Sequence, residues 1–290
     1  MRSVGHTGGE QCGSPVTYPE YMADDTDPFA SRARKVAEDA IDVVEDHVPV
    51  TIAPHLAILV PAIIGAFVLG LFTWGASEIY EAVSKKDDLA LFDQPVLDAM
   101  VACRTGWLNT LIGGYTHIGG PIVSPIIAII VVVIMCRVWR SWLPATLMVA
   151  AALGSLTVTF VGKDVIDRVR PPFEFAIAPF ESTPSFPSGH ALNAVVVGGI
   201  IAYLLYRHFE TRSARLITVV LAVVYAVTMG ASRVYLGHHW LTDVMTGWLL
   251  GGAWLAVIIT THIVVAALLE RRHGSDEISP PEPGAKDSAA

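Results

Sequence analysis

The chain has 290 residues, of which 53% are hydrophobic and only 16% are charged. Soluble globular domains carry about 25% charged residues, so this composition indicates a membrane protein. Its 19 basic and 27 acidic side chains give a formal net charge of −8, which excludes the basic surface typical of a nucleic-acid-binding protein. The three cysteines have no C-x-x-C spacing, so they predict neither a disulfide framework nor a thiolate metal site.

The first 50 residues differ in composition from the rest of the chain. Residues 1–27 are rich in Gly, Pro, Asp and Ser and contain no apolar run, which predicts disorder and no cleavable signal peptide. From Phe29 to His47, apolar residues recur at helical spacing and charged residues fill the other face. Residues 1–50 are therefore predicted to be a disordered N-terminus followed by an amphipathic juxtamembrane helix.

Further along, six uncharged runs are long enough to cross a bilayer, which takes about 20 apolar residues. These runs are Leu56–Ser77, Ile118–Cys136, Leu143–Val161, Ser188–Tyr206, Leu216–Ala231 and Val244–Leu269. Between the first two, Asp87–Leu111 mixes apolar and acidic positions, which predicts an interfacial helix. The loop predicted after that helix contains Gly113, Gly114, Gly119 and Gly120. We predict an all-α polytopic bundle of six transmembrane helices over residues 51–270 and a disordered cytoplasmic tail over residues 271–290.

The basic residues between the runs predict the orientation of the bundle. One side carries Arg137, Arg140, Arg207, Arg212, Arg215, Arg271 and Arg272, and the other carries Lys85, Lys86 and Arg104. Because loops rich in Lys and Arg stay in the cytoplasm, both termini are predicted to be cytoplasmic. The loops after the third and fifth runs then both face the extracytoplasmic side.

Three polar motifs lie in or beside those two loops. In the first, Lys163 and Arg170 are seven residues apart, so on a helix they would project from nearly the same face. Pro171 would end or bend that helix. Two convergent cations suit a phosphate, which a guanidinium binds through two oxygens and an ammonium binds as a point charge. Taken alone, the pair is better explained as side chains that snorkel to the end of a span.

The second motif, Pro187-Ser188-Gly189-His190, immediately precedes an apolar helix. A helix N-terminus presents free N–H groups and a partial positive charge, which favour an anion. Ser188 can cap the helix and donate its hydroxyl, Gly189 lets the backbone approach a phosphate, and His190 is placed to donate a proton. A capping histidine without chemistry explains His190 equally well in isolation.

The third motif is Ser232-Arg233, followed by His239 six residues after Arg233 and by Asp243 four residues after His239. If His239 begins a helix, this spacing puts its imidazole and the Asp243 carboxylate on one face. Asp243 would then accept the Nδ1–H group and leave Nε2 free as a nucleophile. A His/Asp metal site is the alternative, and it is disfavoured because the neighbouring candidate ligands are Lys and Arg. No metal or cofactor is therefore predicted.

In this order, Lys-x6-Arg-Pro, Pro-Ser-Gly-His and Ser-Arg-x5-His-x3-Asp resemble the signature of the type 2 phosphatidic acid phosphatase superfamily. That family includes lipid phosphate phosphatases and bacterial undecaprenyl-pyrophosphate and phosphatidylglycerophosphate phosphatases. The resemblance covers Asp87 to Leu269 and implies a membrane lipid phosphatase that needs no metal and forms a phosphohistidine. It implies catalytic roles for His239, His190 and Asp243. It also implies a phosphate site formed by Lys163, Arg170, Ser188, Gly189 and Arg233, supported by Pro171, Pro187 and Ser232.

Two other functions stay open at this point. A phosphotransferase would pass the same phosphoryl group to a lipid or sugar hydroxyl instead of water. A transporter would carry charges near the middle of its spans, whereas here the charges lie at span ends. His262, well inside the last run, is predicted to be packed or hydrogen-bonded. His238 and the insert Phe173–Phe186, which contains Glu174 and Glu181, receive no role, and the sequence does not indicate an oligomeric state.

Overall fold

The computed structural model describes residues 53–178 and 180–277. The predictions for residues 1–50 and for the tail beyond residue 277 lie outside the described residues. Within the described ranges the regular elements are eight α-helices and three short 3-10 helices, with no strand. The α-helices are α1 Ala53–Lys85, α2 Asp93–Ala102, α3 Gly106–Thr116, α4 Val123–Trp139, α5 Leu143–Ile166, α6 Gly189–His208, α7 Arg212–Tyr235 and α8 Leu241–Glu277. The predicted all-α class is confirmed.

Five of these helices are long and apolar enough to span a membrane, namely α1, α5, α6, α7 and α8. A sixth candidate span consists of Gly106–Gly119 and Val123–Trp139, which meet at a bend of 55°. The six predicted spans therefore correspond to five continuous helices and one bent pair. Outward-facing side chains on these helices are apolar and exposed, as at Ile63, Ile129 and Leu216, which is what contact with lipid tails requires.

The segment between the first two predicted spans is more broken than predicted. Asp87–Leu111 is not one helix, because a 3-10 turn at Asp88–Phe92 precedes α2 and the chain breaks again before α3. At that break Arg104 turns inward and donates hydrogen bonds to the carbonyl oxygens of Phe175 (2.8 Å) and Tyr235. The predicted glycine loop is also wrong in part, since Gly113 and Gly114 lie within α3. Packing of α3 on α7 offsets the cost of glycine in a helix, about 1 kcal/mol each.

Helix α6 lies at the centre of the bundle and packs against α5, α7 and α8. Its buried face consists of side chains spaced four residues apart, each at most 3% exposed: Leu192, Val196, Ile200 and Leu204. Between helices in lipid, close packing replaces the hydrophobic effect as the main attraction, and small residues permit it. Gly154 of α5 is such a residue, because a Cβ atom there would lie 1.9 Å from the Trp254 ring of α8.

The chain order brings particular helix ends together. Short connections join α6 to α7 and α7 to α8, so these packed neighbours run antiparallel. The ends of α5 and α7 and the starts of α6 and α8 therefore lie at one end of the bundle. All three polar motifs are at this end.

Candidate active site

Lys163 and Arg170 converge, although not by the predicted route. Helix α5 ends at Ile166, so Arg170 lies beyond it and the predicted two-turn helical spacing is wrong. Pro171 is buried and does not end the helix. Lys163 Nζ is 3.2 Å from Thr183 Oγ1, and Arg170 Nε donates to the Thr183 carbonyl oxygen at 2.7 Å. Both cations thus reach the same loop from different directions.

Two guanidinium groups share one carboxylate at the centre of the site. Arg170 Nη2 donates to Glu181 Oε2 at 2.8 Å, and Arg233 Nη2 donates to Glu181 Oε1. The buried Arg233 is held from behind by Thr116, whose Oγ1 accepts from Arg233 Nη1 at 3.0 Å. Burial alone would raise the pKa of Glu181, but Arg233 and the neighbouring cations lower it to about 2. Glu181 is therefore an anion held between two arginines.

Ser188 occupies the position just before α6, as predicted for a helix cap. Its side chain makes no capping hydrogen bond, so that part of the prediction is wrong. The Ser188 hydroxyl is completely buried and has no protein partner. Its backbone N–H group donates to the Asp243 carbonyl oxygen at 3.0 Å, which joins the start of α6 to α8. The next residue, Gly189, leaves room for Thr159, whose Cγ2 would be 3.0 Å from a Cβ atom.

His239 lies in the turn before α8 and not on the helix, which begins at Leu241. The four-residue spacing nevertheless places its Nδ1 atom 3.5 Å from Asp243 Oδ2. The opposite ring nitrogen, Nε2, is 3.3 Å from Arg170 Nη1. Burial, and then the nearby arginines, hold the pKa of His239 well below its usual value. The imidazole is therefore neutral at physiological pH, with a lone pair directed towards the arginines.

The Asp243 carboxylate is completely buried and fully occupied by donors. Its Oδ2 atom accepts from the Ser185 hydroxyl and from the Trp240 N–H group, the latter at 2.9 Å. The Trp240 bond is one half of a capping box, in which the third helical residue accepts from the residue before the helix. The other carboxylate oxygen of Asp243, Oδ1, accepts a hydrogen bond from Arg168. The position of Asp243 is thus fixed independently of His239.

His238 connects the insert Phe173–Phe186 to this site. Its Nε2–H group donates to the Ile177 carbonyl oxygen at 2.6 Å, and its own carbonyl oxygen accepts from Arg170. Burial, followed by the nearby arginines, lowers the pKa of His238 to about 4. Gly237 beside it has a φ of +71°, and a Cβ atom there would lie 2.2 Å from the Phe175 carbonyl oxygen. The insert is therefore fixed against the turn between α7 and α8, which places Glu181 in the site.

Comparison with known proteins shows the family to which the chain belongs. A family model described as the PAP2 superfamily matches residues 143–265. Phosphatidylglycerophosphatase B of Bacillus subtilis is 38% identical over 164 residues, which are 55% of this chain and 77% of that protein. The chain belongs to the PAP2 superfamily.

Two further relatives cover much of the same region. A PAP2 relative named undecaprenyl-diphosphatase, from Sulfolobus acidocaldarius, is 32% identical over 139 residues, or 46% of this chain and 60% of that protein. The crystal structure of a transmembrane PAP2-type phosphatidylglycerolphosphate phosphatase from Bacillus subtilis superposes with a TM-score of 0.57 at 29% identity. That match covers 74% of this chain and 97% of the crystallised chain. The relatives thus support the PAP2 membrane fold.

The structure brings the predicted PAP2 site residues to one end of the bundle. Those at its centre are Lys163, Arg170, Ser188, Gly189, His190, Arg233, His239 and Asp243. Three lie behind them: Pro171 and Pro187 are buried, and Ser232 donates to the Met229 carbonyl oxygen at 2.6 Å. In the part of the chain that the structure describes, no three His, Cys, Asp or Glu side chains form a group that could hold a metal ion.

Sequence reasoning gave no role to five residues around the site. Four of them touch motif residues, namely Thr116, Arg168, Glu181 and Ser185. The fifth, Asp93, contacts Arg168. Asp93, Arg168 and Glu181 are charged residues close to apolar segments, and this position could have marked them as candidates for the site. Nothing in the sequence indicated which partner each would contact.

Proposed function

We propose that the protein is a metal-independent phosphatase of membrane lipid phosphates that forms a phosphohistidine at His239. One observation carries the proposal. Arg170 and Arg233 converge on a single anionic group, Glu181, beside the Nε2 atom of a neutral, buried histidine. A bidentate anion cage next to an imidazole lone pair is what in-line attack on a phosphoryl group needs.

The Glu181 carboxylate marks where phosphate oxygens would bind. Both groups are anionic and accept two charge-assisted hydrogen bonds, so a substrate phosphate can take over the donors of Arg170 and Arg233. Two buried donors, Ser188 Oγ and Arg233 Nε, have no protein partner. Leaving a buried donor unpaired costs about 1–3 kcal/mol, so these atoms favour a ligand rich in acceptors. Lys163 supplies a third cation at the same loop.

The proposed reaction has two steps at phosphorus. In the first, His239 Nε2 forms a bond to phosphorus while the bond to the leaving oxygen breaks, and His190 gives that oxygen a proton. In the second, His190 takes a proton from water, the water oxygen bonds to phosphorus, and the N–P bond breaks. His190 suits this role because it lies in the first turn of α6 beside Ser188. Among the described residues, no hydrogen bond to its ring is found.

The distribution of basic residues supports an extracytoplasmic site. Arg137, Arg207 and Arg212 lie at the helix ends opposite the site. By the positive-inside rule, that end faces the cytoplasm. The site would then open at the other interface, where a lipid headgroup can enter while its tails stay among the exposed apolar side chains.

The membrane setting and the names of the relatives support a proposal for the substrate class. Those names refer to a phosphatidylglycerophosphatase and an undecaprenyl-diphosphatase. We propose a phospholipid phosphate or a polyprenyl pyrophosphate as substrate. The charge and donor set of the cage fits the terminal phosphate of both.

The test is phosphate release by purified protein from undecaprenyl pyrophosphate, phosphatidylglycerophosphate, phosphatidic acid and a soluble sugar phosphate, with EDTA present. We expect release from a lipid substrate, lost in His239→Ala, and a phosphohistidine trapped by rapid acid-free quenching. Activity that is abolished by EDTA and restored by a divalent ion would overturn the metal-independent scheme. Release that requires an added lipid or sugar alcohol would instead identify a phosphotransferase.

A further inference from the structure

A chain of three largely buried charges joins Asp243 of the third motif to α2 through Arg168 and Asp93, which the sequence analysis gave no role. Arg168 donates through Nη1 to Asp243 Oδ1 and through Nη2 to Asp93 Oδ2, the latter at 2.7 Å. The exposed fractions of the three side chains are 0% for Asp243, 16% for Arg168 and 6% for Asp93. Such charges are costly to bury unless each is paired, so their alternation in sign explains why all three can be there.

Asp93 also holds the first turn of α8, although it belongs to another helix. Its Oδ1 atom accepts from the Thr242 N–H group at 2.9 Å, and its Oδ2 atom accepts from the Thr242 hydroxyl at 2.7 Å. Helix N-termini have free N–H groups that favour a carboxylate. The Thr242 hydroxyl in turn accepts from Arg168 at 2.8 Å. Asp93 therefore fixes the turn that carries Asp243.

We propose that Arg168 and Asp93 are positioning residues that set the orientation and effective charge of Asp243, and through it the protonation of His239. Arg168 pairs with Asp243 Oδ1, so that Oδ2, which also accepts from Ser185 and Trp240, is the oxygen that lies 3.5 Å from His239 Nδ1. The negative charge of Asp93 balances the positive charge of Arg168, so the Asp243 carboxylate that faces His239 keeps its effective charge. The inference rests on the proposed function insofar as it treats His239 as the nucleophile.

The electrostatics give the two residues opposite effects on His239. Without the Arg168 cation, Asp243 attracts a proton on His239 more strongly, so the His239 pKa rises. Without the Asp93 charge, the uncompensated Arg168 cation weakens that attraction, so the His239 pKa falls. Removing both restores the original local charge, because one positive and one negative group disappear together.

The other charged groups around His239 stay in place in these variants. They are Lys163 of α5, Arg170 in the segment after α5, Glu181 of the insert and Arg233 of α7. Burial, followed by these groups, sets the starting pKa of His239. A change in the His239 pKa that depends on Arg168 and Asp93 can therefore be distinguished from the effect of these phosphate-site residues.

The experiment titrates His239 by ¹⁵N NMR of histidine-labelled protein, with its signal assigned by loss in His239→Gln. The variants are Arg168→Gln, Asp93→Asn and the double variant, with Asp98→Asn as the matched control on the exposed face of α2. The pH profile of kcat/KM for phosphate release is measured alongside, with melting temperatures as a check on folding.

We expect Arg168→Gln to move the His239 titration and the acid limb of the profile upward by about one pH unit. Asp93→Asn should move both downward, the double variant should titrate near wild type, and Asp98→Asn should change neither. A purely structural role would lower the melting temperatures, most of all in the double variant, without moving the titration, and that result would overturn the inference. If the titrations move as expected but the wild-type protein releases no phosphate, the proposed function falls and the inference stands.

Discussion

Two polar clusters lie near opposite ends of α6, where Gly189 and Arg207 are about 27 Å apart along the helix axis at about 1.5 Å per residue. The cluster away from the site consists of Tyr203 and Arg207 on α6 and His262 on α8. The Tyr203 hydroxyl is 2.7 Å from His262 Nδ1, and Arg207 Nη1 reaches both partners at 3.3 and 3.2 Å. Two helices are enough to form it, and its polar groups pair with one another. The prediction that His262 is hydrogen-bonded is confirmed.

The cluster at the other end is built differently. Helices α5, α6, α7 and α8 and the insert all contribute to it, so its residues come from distant parts of the chain. Cations outnumber anions at its centre, and Ser188 Oγ and Arg233 Nε are buried without protein partners. Polar residues near a span are therefore no evidence of a site by themselves. What distinguishes a site is an excess of one charge with donors left unsatisfied.

The sharpest test of this difference compares the two histidines. His239→Gln should lower kcat by about 10⁴-fold or more, the scale seen when a nucleophile is removed from a catalytic unit. His262→Gln should leave kcat within about twofold and cost about 1 kcal/mol of stability through its lost hydrogen bond. Phosphate release and thermal unfolding measure the two effects. Comparable activity losses in both variants would remove the distinction between the clusters.

The same comparison applies to the arginines. Arg233→Gln should lower kcat by roughly 10²–10³-fold, because one donor to the developing phosphoryl charge is lost. Arg207→Gln at the opposite end should not change kcat. Since Arg233 also pairs with Glu181, Arg233→Lys serves as a second variant. It keeps the positive charge but loses the planar guanidinium group, which can donate two hydrogen bonds in parallel. It should retain folding and recover only part of the activity, whereas full activity in Arg233→Gln would exclude Arg233 from the phosphate site.

Two buried serines separate binding from stability. The Ser188 hydroxyl has no protein partner, so Ser188→Ala should leave the melting temperature unchanged and lower kcat/KM roughly 10- to 100-fold by removing a hydrogen bond to a charged ligand. Ser155 on α5 is bonded to Asn193 at 3.3 Å. Ser155→Ala should show the reverse pattern, with lower stability and unchanged kcat/KM. If Ser188→Ala lowered the melting temperature as well as the activity, the Ser188 hydroxyl would have a structural role.

Glu181 should compete with phosphate for the two arginines. In Glu181→Gln the competing anion is gone, so inorganic phosphate should inhibit the enzyme at about tenfold lower concentration, equivalent to about 1.4 kcal/mol. Glu174→Gln, an exposed residue of the same insert, is the control and should behave as wild type. The inhibition constant for phosphate is the measurement. An unchanged constant in Glu181→Gln would show that the carboxylate does not occupy the phosphate position.

The smallest expected effect concerns acid stability. The pKa of Glu181 is lowered from 4.5 to about 2, so its ion pairs stabilise the fold above pH 4.5 and this stabilisation disappears as the pH falls towards 2. Glu181→Gln should therefore melt roughly 2–4 °C lower at neutral pH, and the gap to wild type should close in acid. Melting curves in detergent across this range test it. A constant gap at every pH would contradict the assignment of an ionised Glu181.

The membrane class, the all-α fold and most residues of the candidate site, although not Glu181, could be predicted from the sequence alone. Apolar runs are local and continuous, so Leu143–Val161 and Ser188–Tyr206 could be located without knowledge of their neighbours. Positive-inside reasoning then placed the loops after α5 and α7 on one side. The motif residues could be found for the same reason, since the charges at Lys163 and Arg233 interrupt or end such runs.

How those residues are held depends on contacts between distant parts of the chain, which the sequence does not show. Helix α5 ends at Ile166 because Asp167 adopts a left-handed conformation with a φ of +43°, which turns Arg168 towards Asp243. Glu181 enters the cage because the insert is fixed to the turn after α7. The Arg168–Asp243 contact joins residues 75 positions apart and the Asp93–Thr242 contact joins residues 149 positions apart, and each forms because a buried charge must find a partner. Periodicity in the sequence shows which residues are buried or polar, but the pairing of buried charges depends on which helix ends meet in space.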